Sequence, residues 1–395
     1  MSSIKKLLIV TKEYKCSQNL KVGGTGVFYK NLCEEFAKNG ISPHVFLISK
    51  KKFDLIENGV TIHSIKDIFK GNPFLEIIRS LTGKIAFLEN LHFKIYLFEK
   101  KLIKNKIQNY INKNHHDFDI AETHDFDGLA LSIPENLTSV IRCHGSWSVL
   151  ERYFGYKKVH KGRIFCEQVA MQKAKNVIAI SEYNRRINKE LFGINDAELI
   201  YNGIDENFYK PILNSEIIPQ SIFYFGNVSY EKGADTIIEH FVKIKKKYPK
   251  STLHFVGNPN GYEKHIPQII SELYVRNSIV FHGSKNNHEM VELLSKADVV
   301  CFPSKGENFS LSLLEVMALQ KPVICSEIDS FTEIIKDSEN GMIAYGDNFY
   351  KKIDLLFESF ALKNTIATNA RETVKQNFTI NKLIAKTLYY YKKIK

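Results

Sequence analysis

Residues 303–326 read PSKGENFSLSLLEVMALQKPVICS. The run ADVVCFP at 297–303 reads as a strand, SKGEN as a loop, and FSLSLLEVMALQ as a helix that stops before Lys321-Pro322, because the residue ahead of a proline is driven out of the helical region. Asn308 and Ser310 are candidate caps at the helix start. Glu307 then lies at the carboxyl end of a strand, where open α/β sheets bind ligands. Glu315 follows eight positions later, one to two turns into the helix. Between them the first N–H groups, near Phe309, Ser310 and Leu311, favour an anion. An ion pair or an acid–base couple does not need that spacing. A long ligand held at two points does. The plain alternative is an exposed Glu307 and a Glu315 that pairs with a lysine.

Outward from this stretch, short apolar runs alternate with helical patterns. KKLLIV, HVFLIS, SVIRCH, KNVIAIS, SIFYFGNV, STLHFVG, SIVFHG and KPVICS read as strands. GVFYKNLCEEFAKNG places Phe28, Leu32 and Phe36 on one helical face, with Gly40 where the helix ends,. Alternation of this kind predicts parallel sheets covered on both faces, the doubly wound α/β class. At 395 residues the chain exceeds what one core supports, so two domains are expected. The stretch 199–220, LIYNGIDENFYKPILNSEIIPQ, carries two prolines and an Asn-Gly and marks the linker. The expected division is 1–205, 206–380 and a C-terminal helix over 381–395.

Composition bounds the function. Apolar residues make up 44% and charged residues 25%, as in ordinary globular proteins. The net charge of +12 and pI near 9.1 suit anionic partners or reflect a generally basic surface. No basic–aromatic motif reads bases, so nucleic acid is not expected. The six cysteines show no CxxC spacing and several fall in apolar runs, which reads as a reduced, cytoplasmic protein. The apolar run Leu7–Val10 is too short for a signal peptide, and nothing approaches the roughly 18 apolar residues of a membrane span. A helix is expected from about Ala86 to Tyr110, with Leu88, Leu91, Ile95, Phe98 and Leu102 on one face and lysines among its polar positions. It either packs on its own domain with a solvated basic face or lies on a membrane surface. The terminal NKLIAKTLYYYKKIK has the same two readings.

A nucleotide diphosphate joined to a sugar has the length that Glu307 and Glu315 span. The stretch 303–326 resembles the donor-site signature of the retaining glycosyltransferases of family 4, with the GT-B fold: a Glu, seven residues, a Glu, then Met-Ala and Pro-Val. The resemblance continues in VGGTGVFYKNLCEEFAKNGISPHVF, in RCHGSW, in YNGIDENFYKP and in FGNVSYEKGADTIIEHF, all in the family's order. It implies two Rossmann-like domains facing across a cleft, with the last helix crossing back to the N-terminal domain. It also implies a hexosyltransferase-type enzyme.

By this resemblance Glu307 contacts the donor sugar, Glu315 binds ribose, and the amides from Asn308 through Phe309, Ser310 and Leu311 hold the diphosphate with Lys232. His144 orients the sugar; read alone, it is equally a hydrogen-bonded structural histidine. Gly23 and Gly24, ahead of a helix N-terminus, allow close approach of a phosphate or form an ordinary turn. Gly257, closing STLHFVG, completes the donor set. Asn227 stands where the family often has Arg, so Lys232 needs a second cation, with Lys305 and Arg142 as candidates, or the donor is held more weakly. The implied co-substrate is a nucleotide sugar, most readily a UDP-sugar, with no metal and no other cofactor. The strings Asp117-Phe-Asp119 and Asp125-Phe-Asp127 lie away from the donor elements and read as incidental. The implied acceptor is a glycan or a lipid-linked sugar of bacterial surface-polysaccharide assembly. Peripheral contact with an anionic membrane at the inner face of the plasma membrane would go with it. Rival readings are a subunit that has lost transfer and a sugar-nucleotide epimerase.

Overall fold

The computed structural model describes residues 4–70, 72–154, 161–266, 270 and 272–395. Two compact units emerge: residues 1–201 with 383–395, and residues 202–382.

Unit 1 is built on eight strands: β1 (Lys6–Thr11), β2 (Ser42–Ser49), β3 (Phe53–Glu57), β4 (Val60–Lys66), β5 (Ile120–His124), β6 (Ser139–Cys143), β7 (Val177–Ala179) and β8 (Glu198–Leu199). Their order is β3-β4-β2-β1-β5-β6-β7-β8. All neighbours run parallel except the edge pair β3–β4, which is antiparallel. A tight Asn58-Gly59 turn joins that pair, both residues at positive φ (50° and 78°), the geometry that matches strand twist in a two-residue hairpin. The central strands are apolar on both faces, as burial under two helical layers requires.

The helices of eight residues or more in unit 1 are α1 (Gly24–Lys38), α2 (Pro73–Thr82), α3 (Glu89–Lys113), α4 (Trp147–Phe154), α5 (Lys161–Lys173) and α6 (Glu182–Phe192). α1 buries Phe28, Leu32 and Phe36, and Gly40 follows it at φ 75°. α3 turns a different face inward from the one its leucines predict. It buries His92, Tyr96, Glu99, Lys100, Ile103, Ile107 and Ile111 and leaves Leu91 and Phe98 exposed. The buried charges are matched: Lys100 donates to Glu99 at 2.7 Å, and Lys12 stands 3.6 Å from the same carboxylate.

Unit 2 has six parallel strands: β9 (Ser221–Phe225), β10 (Thr252–Val256), β11 (Ile279–Gly283), β12 (Val299–Phe302), β13 (Val323–Ser326) and β14 (Met342–Ala344). They lie in the order β11-β10-β9-β12-β13-β14. The order reverses between β9 and β12, so a crevice opens beyond the carboxyl ends of these two strands. Among the described residues its helices of eight residues or more are α7 (Ala234–Lys247), α8 (Asn287–Ser295), α9 (Leu311–Ala318), α10 (Phe349–Glu358) and α11 (Phe360–Asn377).

The last helix, α12 (Ile380–Ile394), leaves unit 2 and packs on unit 1. The Tyr391 hydroxyl donates to Glu122, and Arg142, fully buried beneath it, reaches Thr387 Oγ1 at 3.3 Å. All six cysteines are free and buried. Among the described residues no helix is long and apolar enough to cross a membrane.

Candidate functional site

In unit 2 the loop after β9 and the loop after β12 are neighbours because their strands are paired, Val300 beside Phe223 and Cys301 beside Tyr224. Gly233 makes the closest approach. It caps α7 with φ 72°, and a Cβ there would lie 1.9 Å from the Pro303 carbonyl oxygen. Only glycine meets both demands. The two loops are also tied by the Lys305 N–H, which donates to the Glu231 carbonyl at 2.9 Å.

This approach brings Lys232 onto Glu307 as an ion pair. The Ser304 hydroxyl donates to the same carboxylate at 3.3 Å. Lys232 keeps 36% of its side chain exposed and Glu307 16%, so both remain reachable from solvent. Next to them α9 begins. The Leu313 N–H donates to Ser310 Oγ at 3.2 Å, which caps the helix, while geometry leaves the first amides outside the helical ladder. Amides at a helix start favour an anion. Phe309 sets its ring 6.1 Å from Phe378. Glu315, one turn into α9, is half-buried and hydrogen-bonded to the Tyr209 hydroxyl. Burial, with Glu315 and Asp205 nearby, pushes the Tyr209 phenol up, so Tyr209 is the donor. It lies in the linker and was not among the residues expected at this site. Its only sequence signal was the NFYKP run that follows Asn-Gly-Ile-Asp.

Asn227 is exposed, and its carbonyl accepts from the Tyr224 hydroxyl at 2.7 Å. Gly257 has a packing role: a Cβ there would sit 2.0 Å from the Gly226 carbonyl oxygen, and its N–H is committed to the Gly283 carbonyl at 3.1 Å. Neither alternative cation stands free. Lys305 is 3.2 Å from Asp235 and 3.0 Å over the Tyr230 ring. Arg142 is fully buried in unit 1, held by Glu122 through Nε at 2.9 Å and Nη2 at 3.1 Å. Arg142 is structural.

In unit 1 the strand order reverses between β1 and β5, and the polar groups gather at their ends. Gly23 caps α1 at an ordinary φ of −78°, and Gly24 follows as its first residue. A Cβ on Gly23 would meet the Glu13 carboxylate at 2.9 Å, whereas one on Gly24 would meet nothing. Glu13 accepts from backbone at Gly26 and Gly23, and burial pushes its carboxyl up against those bonds. The anion at this helix start is therefore one of the chain's own side chains.

His144 follows β6 in a turn that Asp125 clamps. The His144 N–H donates to Asp125 Oδ1 at 3.0 Å, and the Gly145 N–H donates to Oδ2 at 3.0 Å. Burial pushes the Asp125 carboxyl up to about 7, although the amides of Gly145 and His144 pull the other way. The His144 ring lies edge-on to Phe28 at 4.5 Å and to Tyr29 at 5.5 Å. Burial, then Arg142 and His124, hold its pKa well below the usual range, so the ring is neutral. His124 is structural. Its ring nitrogens face the Lys12 and Phe126 N–H groups at 3.2 and 3.1 Å, and burial pushes it down to about 3. Three of the four aspartates in the two DxD strings, Asp119, Asp125 and Asp127, bind protein groups, and Asp117 is exposed. Asp119 accepts from the Lys5 and Lys6 amides at 2.6 and 2.9 Å, and Asp127 accepts from Lys12 and the Trp147 indole at 2.8 and 2.9 Å. Among the described residues no group of three His, Cys, Asp or Glu is placed to hold a metal ion.

Residues 22–208 match the family described as Glycosyltransferase Family 4, and residues 206–373 match Glycosyl transferases group 1. Together the matches run over residues 22–373, and the chain belongs to the glycosyltransferases of the GT-B fold. It is an enzyme of the transferase class. Over 414 aligned residues it is 24% identical to an uncharacterized glycosyltransferase of Methanocaldococcus jannaschii, with 98% of both chains covered. Sucrose-phosphate synthase from Thermosynechococcus elongatus superposes with a TM-score of 0.77 at 16% identity over 99% of both chains. Anabaena HepE, solved in complex with UDP and glucose, gives 0.70 at 16% identity over 98% of both chains. At these identities the solved structures speak to the fold.

Proposed function

We propose that this chain transfers a hexose from a UDP-sugar, with retention of anomeric configuration, to a glycan or lipid-linked acceptor in surface-polysaccharide biosynthesis. The observation that carries the reading is the Lys232–Glu307 pair at the reversal between β9 and β12, beside the capped start of α9. A diphosphate arriving at those amides competes with Glu307 for the Lys232 ammonium. The exchange frees the Glu307 carboxylate to accept from a sugar hydroxyl, and Glu315 with Tyr209 offers an acceptor to ribose hydroxyls. Transfer breaks the bond from the anomeric carbon to the phosphate oxygen and forms one to the acceptor oxygen. The acceptor proton passes to the leaving phosphate, so no enzymic nucleophile is needed. Lys232 and the α9 amides stabilise the charge that develops there, and a metal is not required for it. Contact with an anionic membrane belongs to the lipid-linked form of the acceptor.

UDP is chosen on the complex that HepE forms and is tested directly. Thermal melts against UDP, GDP, ADP and CMP should show a shift with UDP alone, since a ligand at about 100 times its Kd stabilises by about 2.7 kcal/mol. A shift with another diphosphate changes the nucleotide; no shift with any overturns the donor site. A second reading, a subunit without transfer, rests on Asn227 being exposed while Lys305 and Arg142 are committed elsewhere. It predicts neither transfer nor donor hydrolysis by pure protein.

A further inference from the structure

Large apolar side chains are rarely left in water in a contiguous group unless something covers them. Unit 1 leaves such a group along α2, the 3-10 turn 86–88 and the first half of α3. On α2, Phe74, Ile77 and Leu81 are exposed, Phe74 at 69%, and their spacing of three and four residues puts them on one face. Ile85 and Phe87 follow, Phe87 at 94%, the most exposed of the set. On α3, Leu91 and Phe98 are exposed in the same way. The two helices are joined by a groove of about 210 Å³ that Phe69, Leu75, Leu91, Ile95, Phe98 and Leu102 help to line. This is the apolar stripe that the sequence of α3 advertised, and it faces outward because the helix buries its other side.

The surroundings of the patch are cationic. Residues 70–113 carry nine lysines and arginines against three glutamates, a net +6, half the formal charge of the whole chain. The three acids are already matched: Glu99 by Lys100, Glu76 by Arg79 and Glu89 by Lys161. Lys94 and Lys101 alternate with Leu91 and Phe98 along the exposed side of α3, and Lys70 and Lys84 stand exposed at the two ends of α2. Lysine stems can lie along apolar surface while the ammonium groups reach outward. Exposed apolar residues, bordered by lysines without surplus acid, complement the headgroup–acyl boundary of an anionic bilayer.

We infer that the α2–α3 face of unit 1 is a membrane-docking surface, in which Phe74, Ile77, Leu81 and Phe87 enter the interface of an anionic phospholipid bilayer and Lys70, Lys84, Lys94 and Lys101 meet its headgroups. This gives the membrane contact proposed above a defined surface. It does not depend on the donor assignment, because vesicle binding scores the one and nucleotide binding the other.

The test is flotation of the full chain with vesicles of phosphatidylcholine alone and of phosphatidylcholine mixed with phosphatidylglycerol. Binding to the anionic vesicles, weakened by salt and absent on neutral ones, is the expected result. The triple variant Phe74→Ser, Ile77→Ser, Phe87→Ser should bind anionic vesicles at least about tenfold more weakly. Lys94→Gln with Lys101→Gln should weaken binding about thirtyfold at low salt, because two ammonium groups no longer meet the anionic headgroups. Because these side chains are exposed, both variants should keep the wild-type melting temperature and its response to UDP. Wild-type chain that stays unbound, or a triple variant that binds like wild type, overturns the inference. So does a wild-type dimer that the triple variant converts to monomer while neither floats, which would make the patch an interface between copies.

Discussion

Lys232→Ala separates a binding role from a structural one. Lys232 is 36% exposed and its partner Glu307 16%, so the pair belongs with surface ion pairs that contribute about 0–1 kcal/mol to stability. The melting temperature should therefore fall by no more than about 4 °C. The effect on ligand is larger. A hydrogen bond to a charged group contributes about 1.5–3 kcal/mol, so removing the Lys232 ammonium should raise the Kd for UDP about 10- to 100-fold. As the sugar departs, charge accumulates on the diphosphate, and removing one pre-placed donor should lower kcat by about 100- to 1,000-fold. Calorimetric titration with UDP, donor turnover and a melt on the same preparation read the three quantities. An unchanged Kd with unchanged turnover would refute the reasoning. A collapse in melting temperature of more than about 10 °C would do so too, because the pair would then be structural.

Two further predictions concern the frame. Gly233→Ala should lose about 2–5 kcal/mol in denaturant unfolding, from a left-handed φ and a Cβ against the Pro303 carbonyl,. Gly24→Ala, with open space at its Cβ, should be neutral or gain about 0.5 kcal/mol; equal losses at the two sites would contradict the packing described. The third concerns pH. The Asp125 carboxyl is raised from 3.8 to about 7, so between these values the folded chain holds a proton that the unfolded chain has released. That group therefore withdraws stability as pH rises through the window. Stability of wild type relative to Asp125→Asn should fall by about 1–4 kcal/mol from about pH 4 to pH 7. The opposite slope from His124, pushed down to about 3, is common to both proteins and cancels in the difference. A relative stability that is flat or rises with pH would count against a raised Asp125.

The class of fold was legible because β1, β2, β6, β7 and β9 to β13 are separate apolar runs set among helical patterns and turns. The strand–loop–helix over residues 297–318 is the plainest instance, since Pro322 ends it and Ser310 caps it. The antiparallel β3–β4 edge was not read from the sequence, although Asn58-Gly59 is a hairpin signal set within otherwise alternating α/β,. The face of α3 was misjudged for a physical reason. Periodicity assumes that leucines go inward, but the helix buries Glu99 and Lys100 as a matched pair and turns Leu91 and Phe98 out. At the candidate site the roles rest on pairings that spacing does not encode. Tyr209 reaches Glu315 from more than one hundred positions away in sequence. Glu13 fills the start of α1 from ten residues upstream of Gly23. Arg142 looked like a spare cation in the string RCHGSW and is locked to Glu122. Local sequence shows which residue types are present; only the fold shows which partners have already claimed them.

In the proposed reaction Glu307 serves the sugar while Lys232, the α9 amides and Glu315 hold the nucleotide. Glu307→Ala tests it most directly, with UDP affinity and sugar transfer measured on one preparation. UDP should bind as tightly as to wild type or more tightly, because Lys232 loses its competitor, and turnover should fall at least about 100-fold. Full turnover in that variant, or loss of UDP binding along with it, would contradict the account.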